Sequence, residues 1–103
     1  MFKVKFVRTI FETSSPFSAA RFAPMHREAF IPFAPTVGQE FYWGLERPQK
    51  VASVTWSFTE SSFTCKLEDV FADESGIDGF DFQESLEDST INGWTLAGVF
   101  ESP

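Results

Sequence analysis

The sequence predicts an α+β fold: a curved antiparallel sheet or partly open small β-barrel of about five to six strands, with one helix packed on it near the C-terminus. Three observations carry this expectation. Apolar and polar side chains alternate with period two in several short runs, and links bearing proline or glycine separate those runs. Asp81 to Asn92 carries helix-start and helix-stop residues at helical spacing.

Phe2 to Phe11 opens as a strand. Phe2, Val4, Phe6 and Ile10 share one face, interrupted by Arg8, and Lys3, Lys5, Val7, Thr9 and Phe11 share the other. Val7 and Phe11 give the second face apolar surface too, so it is expected to be partly covered, by the segment that follows or by a second subunit. Thr13 to Pro35 holds four of the six prolines. Proline lacks the ladder donor and pushes its predecessor toward extended backbone, which predicts an irregular stretch without a long helix or a central strand. Ser18 to Phe22 fits one helical turn, and Arg27 to Phe33 an edge strand with Pro32 on its unpaired side.

Pro35-Thr36-Val37-Gly38 predicts a tight turn, delivering a strand over Gln39 to Leu45 with Phe41, Trp43 and Leu45 on one side. Val51 to Val70 predicts a β-hairpin. A loop at Glu60-Ser61, or from Thr59 to Ser62, sets Phe58 opposite Phe63, Trp56 opposite Cys65 and Val54 opposite Leu67, all facing inward. Ser53, Thr55, Ser57, Thr64, Lys66 and Glu68 take the other face, toward water or another chain. Short links between these strands favour an antiparallel meander.

Phe71 to Phe80 reads as a loop. In the helix that follows, Asp81 caps the first turn, Glu84 completes a capping box and Gly93 stands where a left-handed residue ends the last turn. Phe82 and Leu86 form a thin apolar stripe, extended by Ile91, under an acidic outer face. Trp94 to Phe100 closes the sheet with Trp94, Leu96 and Phe100 on one face, and Gly98 marks a bulge or a close backbone approach.

A chain of 103 residues supports one domain, 1–103, with a single core. Fourteen Phe, three Trp and one Tyr exceed what so small a core encloses, so aromatic surface is expected outside it. The charge of −7 is unevenly spread. Residues 1–50 carry seven basic and four acidic side chains, and residues 51–103 one basic and eleven acidic. Such polarity steers a basic partner or drives self-association, and it argues against direct nucleic-acid binding, which needs basic surface. A lone cysteine, no apolar leader after Met1 and no run near twenty apolar residues predict a soluble cytoplasmic protein without membrane contact.

No catalytic residue, metal site or cofactor is predicted. Cys65 faces Trp56 on the inward side, as a small buried hydrophobe. Asp73 to Glu84 begins and ends like a calcium loop but has Ile77 and Asp78 where a ligand and a glycine are required. No phosphate-cradling glycine motif occurs. The ligand or interface candidates are Arg21, His26, Arg27, Tyr42, Trp43 and Trp94, aromatic and cationic groups suited to rim a pocket or a subunit contact. An acidic partner surface comprises Asp73, Glu74, Asp78, Glu84, Glu87 and Asp88. In size, acidity and lack of catalytic motifs the chain resembles the small reading frames of bacterial mobile elements, a likeness of character that names no family. The expectation is a small acidic interaction or binding module that self-associates, as a dimer. Two alternatives stand beside it: an acidic inhibitor or immunity-type protein whose carboxylates imitate nucleic-acid phosphates against a basic protein partner, and a small-molecule binder using an aromatic pocket.

Overall fold

The computed structural model describes residues 1–12, 21–44, 47–72 and 82–101. The fold is α+β. Its strands are β1 (Phe2–Phe11), β2 (Arg21–Ile31), β3 (Glu40–Phe41), β4 (Gln49–Ser57), β5 (Ser62–Leu67) and β6 (Val70–Phe71), followed by the helix α1 (Phe82–Ile91), β7 (Thr95–Leu96) and β8 (Phe100–Glu101). They form one eight-stranded sheet of order β3-β4-β5-β1-β2-β7, with β6 beside β1 and β8 beside β2. No pair among the described residues closes that path into a barrel. Eight strands form among the described residues where five to six were expected, because the second arm of the hairpin breaks into β5 and β6 and the closing strand into β7 and β8.

The sheet is mixed. β4 runs antiparallel to β3 and β5, and β8 antiparallel to β2, whereas β1 runs parallel to both β5 and β6. The antiparallel meander holds for β3 to β5, and β1 departs from it by running parallel to β5 and β6. Alternation shows which face a residue takes, but not which distant strand lies alongside.

The chain resolves into two compact units, Met1–Val7 with His26–Glu68, and Arg8–Met25 with Asp69–Pro103. In the first, Val4 and Phe6 of β1 lie beside Phe63 and Cys65 of β5, and Leu67 pairs with Val51 of β4. Val4, Phe6, Val51, Cys65 and Leu67 are all buried. The hairpin slips two residues from the expected pairing: Trp56 lies opposite Phe63 and Val54 opposite Cys65. A two-residue slip preserves the face of every side chain. It arises because the loop is Phe58 to Ser61, fixed by a hydrogen bond from Glu60 N to Ser57 Oγ (3.2 Å) and by Ser61 at φ 50°. A register shift between Val51 and Ser53 marks a bulge, which lets Val51 and Val54, three apart, serve the same face.

In the second unit α1 covers one face of the ends of β1 and β2. Its buried residues are Phe82, Ser85, Leu86 and Ser89, a stripe at i, i+3, i+4 and i+7. The expected Phe82 and Leu86 are joined by two serines, while Ile91 is 80 % exposed because it falls off that stripe. The helix ends as its glycine predicts. Gly93 sits at φ 102°, Gly93 N donates to Thr90 O (3.2 Å) and Trp94 N to Ser89 O (3.0 Å), the two bonds of a Schellman closure. Asp81, the proposed cap, lies outside the described residues, as do Leu45, residues 13–20 of the proline-rich stretch and residues 73–80 of the acidic loop.

The proline-rich stretch is the largest departure. Arg21–Ile31 is an interior strand that contains Pro24, neither a helical turn at Arg21-Phe22 nor a short edge strand. The sheet accommodates Pro24 because Phe22 pairs with Phe100, leaving Pro24 opposite the break between β7 and β8. Pro24 O still accepts from Ala97 N (3.0 Å), and its missing donor falls where the ladder is interrupted. Gly98 lies in that break. A Cβ there would stand 3.1 Å from Phe100 Cζ, so the glycine permits the close approach that its position predicts.

Candidate functional site: an aromatic face

Alternation along β1, β4 and β5 puts Phe2, Val4, Phe6, Val54, Trp56, Phe63 and Cys65 on one face of the first unit. β1 meets β5 only from Phe63 onward, so the tip of the β4–β5 hairpin projects past the start of that pairing. The rings there have one another for company. Phe2 meets Phe63 at 5.9 Å between centroids, Phe63 meets Trp56 edge-on at 4.8 Å, and Trp56 meets Phe58 edge-on at 6.1 Å. Phe58 is 89 % exposed, and Phe2 and Trp56 each 41 %. Trp56 thus keeps its expected face but leaves the interior, because among the described residues no further strand lies against the hairpin tip.

A second group closes over the buried Phe6. Phe41 and Trp43 approach its ring edge-on at 4.8 and 5.0 Å, and Phe33 stacks on Phe41 at 6.2 Å. Above Trp43 lies the Arg27 guanidinium, 4.9 Å from the ring centre. Tyr42, between Phe41 and Trp43, is 66 % exposed. His26 is half-buried on β2, one residue before Arg27 and therefore on the opposite face.

The remaining candidates belong to the second unit. Trp94 is buried, with the Arg8 guanidinium 4.1 Å over its ring and Arg8 Nη2 donating to Ser89 Oγ at 2.8 Å. The polar interruption in the first strand is therefore a buried arginine, 5 % exposed, stacked on an indole. The Schellman closure delivers both of its partners, since Ser89 and Trp94 are the residues joined by that bond. Sequence alternation marks Arg8 as inward-facing but names no partner. On the other face, four phenyl rings from four strands stand in a ladder: Phe71 on Phe11 (5.5 Å), Phe11 on Phe22 (5.8 Å) and Phe22 on Phe100 (5.6 Å). These rings pack side by side on the far side of β1, where Phe11 is half-buried and Phe100 is exposed.

Arg21 lies 4.9 Å over the Phe82 ring and pairs with Glu12 through Nη2 to Oε2 at 2.6 Å and Nε to Oε2 at 3.1 Å. The same glutamate accepts from Arg21 N at 3.3 Å, and Glu12 N donates to Arg21 O at 2.9 Å, fastening the end of β1 to the start of β2. The Arg21 hydrogen bonds hold the Glu12 carboxyl below its ordinary value near 4.5. A carboxylate whose pKa falls on folding stabilises the fold above its unfolded pKa and loses that contribution as pH falls through the lowered value. Both side chains are more than a third exposed, so the contribution is small. Glu12→Gln is expected to lower the melting temperature slightly at neutral pH, with the two melting curves converging once the pH is well below 4.5. A constant offset at every pH would assign the loss to something other than this ion pair.

Cys65 is buried, and desolvation raises its thiol pKa. Among the described residues no three His, Cys, Asp or Glu side chains gather as a metal site. Of the acidic partner surface, Glu84, Glu87 and Asp88 line the outer side of α1, while Asp73, Glu74 and Asp78 lie outside the described residues. Among the described residues no helix is long and apolar enough to cross a membrane. Of the six ligand or interface candidates, Arg27 and Trp43 meet in the first unit, and Arg21 and Trp94 have their own partners in the second. No known protein family, curated protein or solved structure matches this chain.

Proposed function

We propose that the chain is a non-enzymatic interaction module that self-associates as a dimer, using the aromatic face of the first unit. One observation carries this reading: Phe2, Trp56 and Phe58 are exposed and linked ring to ring through Phe63, and Trp56 and Phe58 lie in Val51 to Thr59, a run without a charged residue. Contiguous exposed aromatic surface of this kind is characteristic of subunit contacts. The pocket reading is less favoured, because the Trp43 and Trp94 rings already carry guanidinium groups of the same chain.

Salt separates self-association from capture of a basic protein. Two copies of charge −7 repel at a distance while an uncharged contact draws them together, so dimerisation strengthens as ionic strength rises. A nucleic-acid-like acidic surface, with Glu84, Glu87 and Asp88 on the outer side of α1, binds a basic partner more weakly in the same titration. Sedimentation equilibrium over a wide concentration range is expected to show a monomer–dimer equilibrium that Trp56→Ser weakens about tenfold or more. A strict monomer at high concentration and high salt would overturn the proposal.

A further inference from the structure

Resting on that reading, we infer that the dimer forms by antiparallel pairing of β4 with β4 of a second copy, about a two-fold axis at Thr55. β3 pairs with β4 only at Gln49 and Lys50. The turn before it takes the next residue: Val51 N donates to Gln39 O (2.8 Å), and Gly38 N donates to Val51 O (2.9 Å). Beyond Val51, β4 pairs with β5 on one side and, among the described residues, with no strand on the other. Unpaired backbone along an edge is a template for another strand.

Natural sheets blunt such edges with charge, proline, bulges or short strands. The other end of this sheet has two-residue strands, β7 and β8. Ser53 to Ser57 has none of these devices. Its sequence, Ser-Val-Thr-Trp-Ser, is uncharged and rich in residues that favour strands, and its bulge lies at one end, outside the regular run. A second copy fits this edge because the strand complements itself. The regular run lies between the bulge and the Phe58 turn, and its midpoint is Thr55. Antiparallel pairing about that midpoint sets Thr55 opposite the partner's Thr55, Ser53 opposite the partner's Ser57 and Val54 opposite the partner's Trp56. The exposed indole then packs on a valine, and threonine meets threonine on the polar face, both favourable cross-strand pairs. A two-fold axis between residues would join the apolar face of one sheet to the polar face of the other, and is excluded on those grounds.

Thr55 is exposed and faces Thr64 within its own chain, so a charge there is compatible with folding. Thr55→Lys and Thr55→Glu each set like charges face to face across the axis, and each alone is expected to weaken the dimer about tenfold or more. An equimolar mixture of the two is expected to restore association as a heterodimer. Wild-type dimers with both variants dimerising normally would overturn strand pairing and leave self-association standing. Weakened single variants without rescue in the mixture would overturn the register, and a monomeric wild type would overturn both proposals. Should either variant fail to fold, hydrogen exchange on the wild type decides: amides within Ser53 to Ser57 gain protection with rising protein concentration only if this edge is paired.

Discussion

Replacing Phe6 by alanine is expected to lower stability by about 3–5 kcal/mol, read as a fall in the denaturant midpoint. Phe6 is 1 % exposed, and it is the ring on which Phe41 and Trp43 converge edge-on. Alanine would leave a cavity beneath both and remove two aromatic pairs, each worth about 0.5–1.5 kcal/mol beyond its buried area. Phe6→Leu keeps most of the volume and is expected to cost about 1–2 kcal/mol, the share that belongs to ring geometry. Equal losses for the two substitutions would show that volume is not what holds this site.

Arg8→Ala is expected to cost about 2–4 kcal/mol, from the stack on Trp94, the bond to Ser89 and the packing of a long buried stem. Arg8→Lys separates charge from shape. Lysine keeps the positive charge but offers a compact ammonium in place of a flat guanidinium that can lie on an indole and still reach a hydroxyl. A loss of about 1–2 kcal/mol is expected for lysine. Full stability of Arg8→Lys would show that charge alone suffices. Ser89→Ala, which removes one acceptor while leaving the stack, should fall between wild type and Arg8→Ala.

Local patterns revealed much of the architecture. The strand over Phe2 to Phe11 was legible to its ends because Phe2, Val4, Phe6 and Ile10 keep period two, with Arg8 the one polar residue on that face. The helix was legible because Gly93 supplies the one conformation that a Schellman closure requires. The hairpin's faces were also legible, but its register was not: serine turns at several positions satisfy the same alternation, and only the bonded Ser57 and left-handed Ser61 select one. Arg21–Ile31 was hidden because a proline excludes a strand only when its lost donor faces a paired neighbour, and that neighbour, around Gly98, is more than seventy residues away. The parallel partnership of β1 was hidden for the same reason. At the candidate site, the surplus of aromatics was legible from composition, but Trp56 was expected inside. Its exposure depends on where β1 begins to pair with β5, which alternation does not encode.

That parallel partnership also bears on the order in which the chain gains its structure. Val4 meets Phe63 across a separation of about sixty residues, while β4 and β5 are joined by a four-residue turn. During translation the side of the first strand that pairs with β5 must therefore wait until the hairpin has been synthesised, whereas its other neighbour, β2, is made much earlier. Until then the edge that β5 will take is open to chaperones or to misdocking on a neighbouring nascent chain. Refolding from denaturant should show early hairpin formation, followed by a slower phase in which β1 is captured.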